Sequence, residues 1–389
     1  MDKDTCEKSS LNFNEKLILI LFFAIVIISQ GIRGYINKII GTSIFNYHLI
    51  PISIIMLLFL NKRNRFTKTN IIIFISISSL IFMGYIKNRY GISDLIRVIV
   101  GVIAPLIIFL LDYTEIRMNL IFPKIVKSFN VFIFIAFISQ AIMSIKIGRT
   151  GGIIGHPLTA GWYYGIFIGF NIIYYKYFKS KGDFLILLDV SIALTGTVLA
   201  AGRISLFICI LLSIVYTFSC CKKRSIPYLI LPILMVGFLS TPIVNEYIWA
   251  KFKETASWGD VSNGRLLGIR EMIFFKKYPN FLFGRGIGYS NYVSQYIFGV
   301  VNFENPILMF AYDYGILNLL LIITIIFINP IRLMLRSKNY LVSMIYMCIL
   351  IIPFTYNGLA ETVGIFIVLI FIIYILFGIN LYISEIEEH

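Results

Sequence analysis

Long apolar runs separated by short polar interruptions fill most of the chain. A helix that crosses a bilayer needs about 20 mostly apolar residues. Twelve stretches meet that requirement: 17–32, 44–60, 70–86, 93–111, 125–145, 158–176, 184–201, 203–220, 226–243, 304–328, 340–357 and 361–381. The seventh and eighth abut at Gly202-Arg203 with almost no loop between them. One interruption is long, from Val244 to Phe303. The pattern predicts an all-α polytopic integral membrane protein of about 12 transmembrane helices. Residues 1–389 form a single membrane domain, and 244–303 is a loop within it. No internal repeat or low-complexity segment is visible. The run from Leu17 has a basic start but no small-residue cleavage site behind it, which reads as a retained first span rather than a signal peptide.

Composition agrees. The chain is 59% hydrophobic and 14% charged, against about 45–50% and about 25% in soluble domains. A net charge of +15 would suggest nucleic acid in a soluble chain, but positive-inside bias explains it without nucleic acid. With the N-terminus inside, inner segments hold nineteen basic residues, among them Lys16, Arg63, Arg117, Lys181, Lys222 and Arg336. The short outer segments hold seven: Arg33, Lys38, Lys87, Arg89, Lys146, Arg149 and Arg203. Both termini are expected in the cytoplasm and the long loop outside. The three tryptophans, Trp162, Trp249 and Trp258, fall at or beyond outer span ends, as an interfacial belt would place them. The five cysteines include no C-x-x-C pair, so neither a disulfide framework nor a zinc site is indicated.

Ionisable residues at the membrane margin are functional candidates, because desolvating them is costly. Arg203, in "LTGTVLAAGRISLF", stands in a turn too short to need an arginine; the alternative is a side chain snorkelling to headgroups. "SNGRLLGIREMIFFKK" reads as a helix of about four turns, with Asn263 near its cap and Pro279 stopping it. Its Arg265 and Arg270 cannot point to one spot. The Gly-punctuated "NFLFGRGIGYSN", with Arg285, is either a backbone-amide cradle for an anion or a plain connector. Glu304 stands before Asn305-Pro306 at the start of the tenth span, as a functional carboxylate or a helix-start charge. Asp313 lies deeper and needs a structural partner. Arg149 and His156 share the outer segment "KIGRTGGIIGHPLTAGW", where a histidine before proline suits a turn. "KNRYGISDLIR" adds Arg89, with Asp94 and Arg97 spaced for a local ion pair. The short outer segments hold no close acidic pair of the kind a hard divalent cation requires, so no metal site is expected.

Three of these stretches resemble the O-antigen polymerase and O-antigen ligase superfamily of bacterial envelope glycosyltransferases. "LTGTVLAAGRISLF" is similar to the family's threonine/serine–arginine junction. "NGRLLGIREMIFFKKYPNFLFGRGIGYSNY" is similar to its outer-loop signature. "ENPILMFAYDYGILNLLLI" is similar to the span that follows. The likeness covers residues 150–330 well and the first third in outline. It departs at Glu304, where ligases and many polymerases have histidine, which weakens a ligase assignment. The resemblance implies a GT-C-like fold in the bacterial plasma membrane, with an active site on the extracytoplasmic face. It implies undecaprenyl-diphosphate-linked oligosaccharide as substrate, no cofactor, and a flippase and chain-length regulator as partners. Arg203, Arg265 and Glu304 would be catalytic, with Arg270, Arg285, Asn305, His156, Arg149 and Arg89 binding substrate. Arginine suits a diphosphate because its planar fork binds phosphate bidentately and keeps its proton. A lipid-linked oligosaccharide flippase or exporter also needs many spans and a cationic cavity, but neither a 60-residue loop nor this asymmetry between halves.

Overall fold

The computed structural model describes residues 11–28, 30–40, 49–61, 68–88, 91–111, 116–222, 249–250, 253, 266–299, 303, 305–356, 358–361 and 363–388. Every regular element among them is helical. The first ten helices are α1 Phe13–Phe22, α2 Gln30–Ile40, α3 Leu49–Leu60, α4 Lys68–Asn88, α5 Ile92–Val98, α6 Ala104–Leu106, α7 Met118–Ile147, α8 Pro157–Tyr177, α9 Asp183–Leu199 and α10 Arg203–Cys220. After these come α11 Leu267–Phe274, α12 Tyr289–Tyr292, α13 Pro306–Tyr314, α14 Ile316–Ile323, α15 Asn329–Arg336, α16 Tyr340–Ile351, α17 Gly358–Glu361 and α18 Val363–Glu388. π-turns at Ile99–Ile103 and Thr324–Ile328 join α5 to α6 and α14 to α15 as continuous rods.

Among the described residues six helices are long and apolar enough to cross a membrane: Lys68–Asn88, Ile92–Leu110, Met118–Lys146, Arg203–Cys220, Ile316–Arg336 and Gly364–Glu385. Their length and composition fit an all-α membrane protein that associates with a lipid bilayer. Of the other expected spans, 226–243 lies outside the described residues and 44–60 partly so. The run 340–357 forms a shorter apolar helix. The run 17–32 stops at Ile28, whose carbonyl accepts from Arg33 Nε at 2.9 Å. The tenth span is displaced: the chain breaks at Gly315, with φ 92° and ψ 154°, and the apolar rod begins after it.

The stretch 364–384 carries no charge, and α18 is the most enclosed of the six spans, whereas α3, equally uncharged, leaves Met56, Leu57 and Leu60 exposed. The helix α4 is 17% enclosed and lies at the periphery. In α8, Gly161, Gly165 and Gly169 recur every four residues. An added Cβ would meet Ser205 of α10 at 2.7 Å, and Ile352 and Ile345 beyond α16 and within it at 2.9 and 2.8 Å. Small residues let membrane helices approach closely where hydrophobic drive is absent. Trp162 departs from the expected belt: it is fully buried and donates from Nε1 to Ile349 O at 3.0 Å. Trp258 lies outside the described residues.

Interhelical contacts separate the turns into two ends. At one, Glu15 pairs with Arg117 at 2.6 Å, Asn61 bonds Asn14, Lys222 N donates to Asp183, and Asn380 donates to Ser337. At the other, Arg149 reaches Ala200, His156 stacks on Tyr356, and Asn88 reaches Gly284. The second is the loop end, where the candidate residues lie.

Candidate functional site

The turn joining α9 to α10 is a Schellman motif. Ala201 N donates to Val198 O at 2.7 Å and Gly202 N to Thr197 O at 3.5 Å. This requires a left-handed residue after the helix, and Ala201 supplies it at φ 51°. Gly202 then caps α10, and Arg203 becomes that helix's first residue. A cation there faces the positive end of the helix dipole, which is unfavourable by up to about 1 kcal/mol. Helix stability therefore gives no reason for Arg203. An anion docked there would meet the positive end of the α10 dipole beside Arg203.

The segment 148–156 is folded onto this turn. Thr150 N donates to Leu199 O at 3.4 Å, and Arg149 Nε donates to Ala200 O at 3.1 Å. Beneath them Gln140 is fully buried: its Nε2 donates to Thr150 O at 2.7 Å and Gly196 O at 3.1 Å, and its Oε1 accepts from Tyr164 at 2.6 Å. Every polar atom of this amide that faces the turn is satisfied, so the brace is rigid. Arg149 is thus held at the turn that leads into Arg203, the first residue of α10. His156 N-caps α8: its Nδ1 accepts from Leu158 N at 3.3 Å, which leaves the proton on Nε2. Its ring stacks on Tyr356 at 6.2 Å and 13°. Partial burial, and after it the charge of Arg149, hold this imidazole below its ordinary pKa.

The loop between α11 and α13 is built differently from its expected form. Among the described residues α11 spans Leu267–Phe274 and ends before Lys276, while residues 262–265 of the expected four-turn helix, Asn263 included, lie outside them. Gly268 packs on Phe303 and Leu308. Arg270 is exposed and pairs with its neighbour Glu271 at 3.0 Å. The Gly-rich string is a structural clasp. Arg285 N and Gly286 N donate to Tyr312 O and Asp313 O, at 3.2 and 2.9 Å. Ile316 N and Leu317 N donate to Asn280 O and Phe281 O, at 3.0 and 2.9 Å. These bonds satisfy the backbone groups that the break at Gly315 frees on both sides. The backbones meet so closely that a Cβ on Gly284 would lie 1.9 Å from Asp313 O. The Asp313 carboxylate accepts from Ser290 N at 2.7 Å, Ser290 Oγ at 3.2 Å and Gly288 N at 3.3 Å. Amides that could have cradled an external anion are therefore occupied by the protein's own carboxylate. The Arg285 side chain is exposed; it donates to Tyr289 Oη at 3.0 Å and lies over that ring.

Of the anticipated site residues, Arg149, Arg203 and His156 come together at the loop end. Arg270 and Arg285 take local partners on the loop. Asn305 spends its side-chain oxygen capping α13, accepting from Leu308 N at 3.2 Å. Arg265, Glu304 and Arg89 lie outside the described residues. The expected Asp94–Arg97 pair is not formed among the described residues: no salt bridge joins them, and Asp94 instead borders the clasp at Gly284 and Gly286. Sequence reading missed Gln140, Tyr164 and Tyr356; a lone buried amide and two tyrosines among many leave no pattern in a single chain. Comparison with protein-family models, curated proteins and solved structures gives no match.

Proposed function

We propose that this chain is a polysaccharide polymerase of the bacterial envelope. It transfers a glycan chain from undecaprenyl diphosphate onto the next lipid-linked repeat, without a metal. The anomeric C–O bond to the diphosphate breaks, and the leaving diphosphate keeps the electron pair. The acceptor hydroxyl forms the new glycosidic bond and surrenders its proton, for which Glu304 is the nominated base. In this reading the chain crosses the plasma membrane twelve times, with both termini cytoplasmic and the loop end extracytoplasmic. The observation that carries it is that Arg203 opens α10, where the helix dipole disfavours a cation, while Arg149 is bound to the same turn through Ala200 O. Preorganised cations are most useful where negative charge develops, here on the departing diphosphate.

The test is purified protein in liposomes, given labelled undecaprenyl-diphosphate oligosaccharide with and without EDTA. Polymer at equal rates in both supports the reading. Transfer to a different acceptor indicates a ligase, translocation without polymer indicates a flippase, and either outcome displaces it.

A further inference from the structure

A cleft of about 300 Å³ opens beside the clasp, between the end of α11 and α12. Lys276, Lys277 and Arg285 line it together with Tyr289, Tyr292 and Tyr312, and no acidic side chain is among its described lining residues. The tyrosines form one surface. Tyr289 and Tyr292 stack at 5.9 Å, and Tyr312 meets Tyr289 at 6.3 Å. Tyr312 also donates to Lys277 O, which ties the lysine pair to the cleft floor.

The backbone gives an independent sign of use. The end of α11 is a Schellman motif, with Lys277 N donating to Met272 O at 3.2 Å and Lys276 N to Ile273 O at 3.3 Å. Its left-handed position is normally glycine, yet Lys276 occupies it at φ 52°. A non-glycine residue held in that region stores strain, and such strain clusters at ligand clamps. The side chain retained at this expense lies on the cleft wall.

We propose that this cleft is a subsite for an acidic sugar, a saccharide ring bearing a carboxylate, so that the glycan this protein handles is anionic. The saccharide half of the inference rests on the polymerase reading. The oxyanion half rests on Lys276, Lys277 and Arg285 lining one cleft with no acidic side chain among its described lining residues. The tyrosine faces offer platforms for the apolar side of a ring and hydroxyls for its edge, and the volume sits at the small end of ligand sites.

Saturation-transfer NMR on the full chain in zwitterionic nanodiscs tests this, with trigalacturonate, its neutral methyl ester and inorganic pyrophosphate as probes. Trigalacturonate is expected to bind at least five-fold more tightly than its ester and to resist displacement by pyrophosphate. Lys276→Gly is expected to weaken trigalacturonate binding at least five-fold while raising the melting temperature, because the backbone strain is relieved. Arg285→Gln should weaken binding similarly, with its backbone bonds intact. Equal binding of acid and ester, or unchanged binding in Lys276→Gly, overturns the proposal. Displacement by equimolar pyrophosphate, or equal occupation by anionic nanodisc lipid, makes the cleft a phosphate site and overturns it also. Because the readout needs no turnover, absence of trigalacturonate binding to the unsubstituted chain with polymerisation intact refutes only the subsite. Binding without polymerisation refutes only the polymerase.

Discussion

At the residue scale, position rather than charge distinguishes Arg203. Lysine or arginine is expected wherever a membrane protein meets its headgroups, but a cation on the first residue of a helix opposes the dipole. The guanidinium of Arg149 reaches the same turn but donates to Ala200 O at the end of α9, where that helix's dipole favours it. The unfavourable placement is therefore that of Arg203, which an anion docked at the start of α10 would relieve. His156 serves the site differently, through its cap on α8. Its folded pKa is lowered, so the neutral ring contributes stability that is fully present above the ordinary histidine value, about 6.5. That contribution is lost as pH falls through the lower folded value, when Nδ1 gains a proton and can no longer accept from Leu158. Ring-labelled NMR of the three histidines should show His156 titrating below about 6.5; a value at or above that would remove the cap from the folded state's ledger. Arg203 was legible in the sequence because a two-residue turn leaves it little freedom. Gln140 was not, because its role depends on three backbone and side-chain partners that only packing assembles.

At the element scale, two glycine-dependent features carry the site, and they respond oppositely to substitution. Ala201 occupies a left-handed position, so Ala201→Gly should raise the melting temperature; non-glycine residues there are strained by about 1 kcal/mol or more. No change would mean that the turn relaxes by another route. Gly284→Ala should do the reverse, since its Cβ would collide with the backbone of Asp313 rather than with a movable side chain. Loss of folded protein in detergent is the expected result, and wild-type melting would show that the clasp is not close-packed. The sequence made the Gly-rich string visible but not its task. Amide groups that look available for a ligand are indistinguishable, in one dimension, from amides that a distant Asp313 will occupy. The tenth span was misplaced for a related reason: hydropathy runs unbroken through Gly315, while the backbone turns there. The close approach that Gly161, Gly165 and Gly169 of α8 allow was not read from the sequence, because their partners Ser205, Ile345 and Ile352 lie far along the chain.

At the scale of the whole molecule, the turns fall into two ends, as alternating spans require. Glu15, Arg117, Asn61 and Ser337 gather at one, and Arg149, His156, Tyr356 and Gly284 at the other. All-helical architecture was legible because bilayer thickness imposes run length directly; which span lies at the centre was not, because the apolar stretch of α18 and the partly exposed α3 are equally free of charge. In a cysteine-free background, Ser257→Cys should react with a membrane-impermeant maleimide on intact cells, and Arg336→Cys only after lysis. The opposite pattern would place the loop end in the cytoplasm and remove the proposed lipid-linked substrate. The most direct measurement is polymer formation by Arg203→Lys in the liposome assay. Lysine keeps the charge and loses the bidentate fork, and removing one preorganised donor from a developing anion raises the barrier by about 3–4 kcal/mol. Polymer should therefore fall roughly a hundred- to a thousand-fold, with the protein still folded in the membrane. Near-normal polymer from Arg203→Lys would mean that the arginine only neighbours headgroups, and that the site of glycan transfer lies elsewhere.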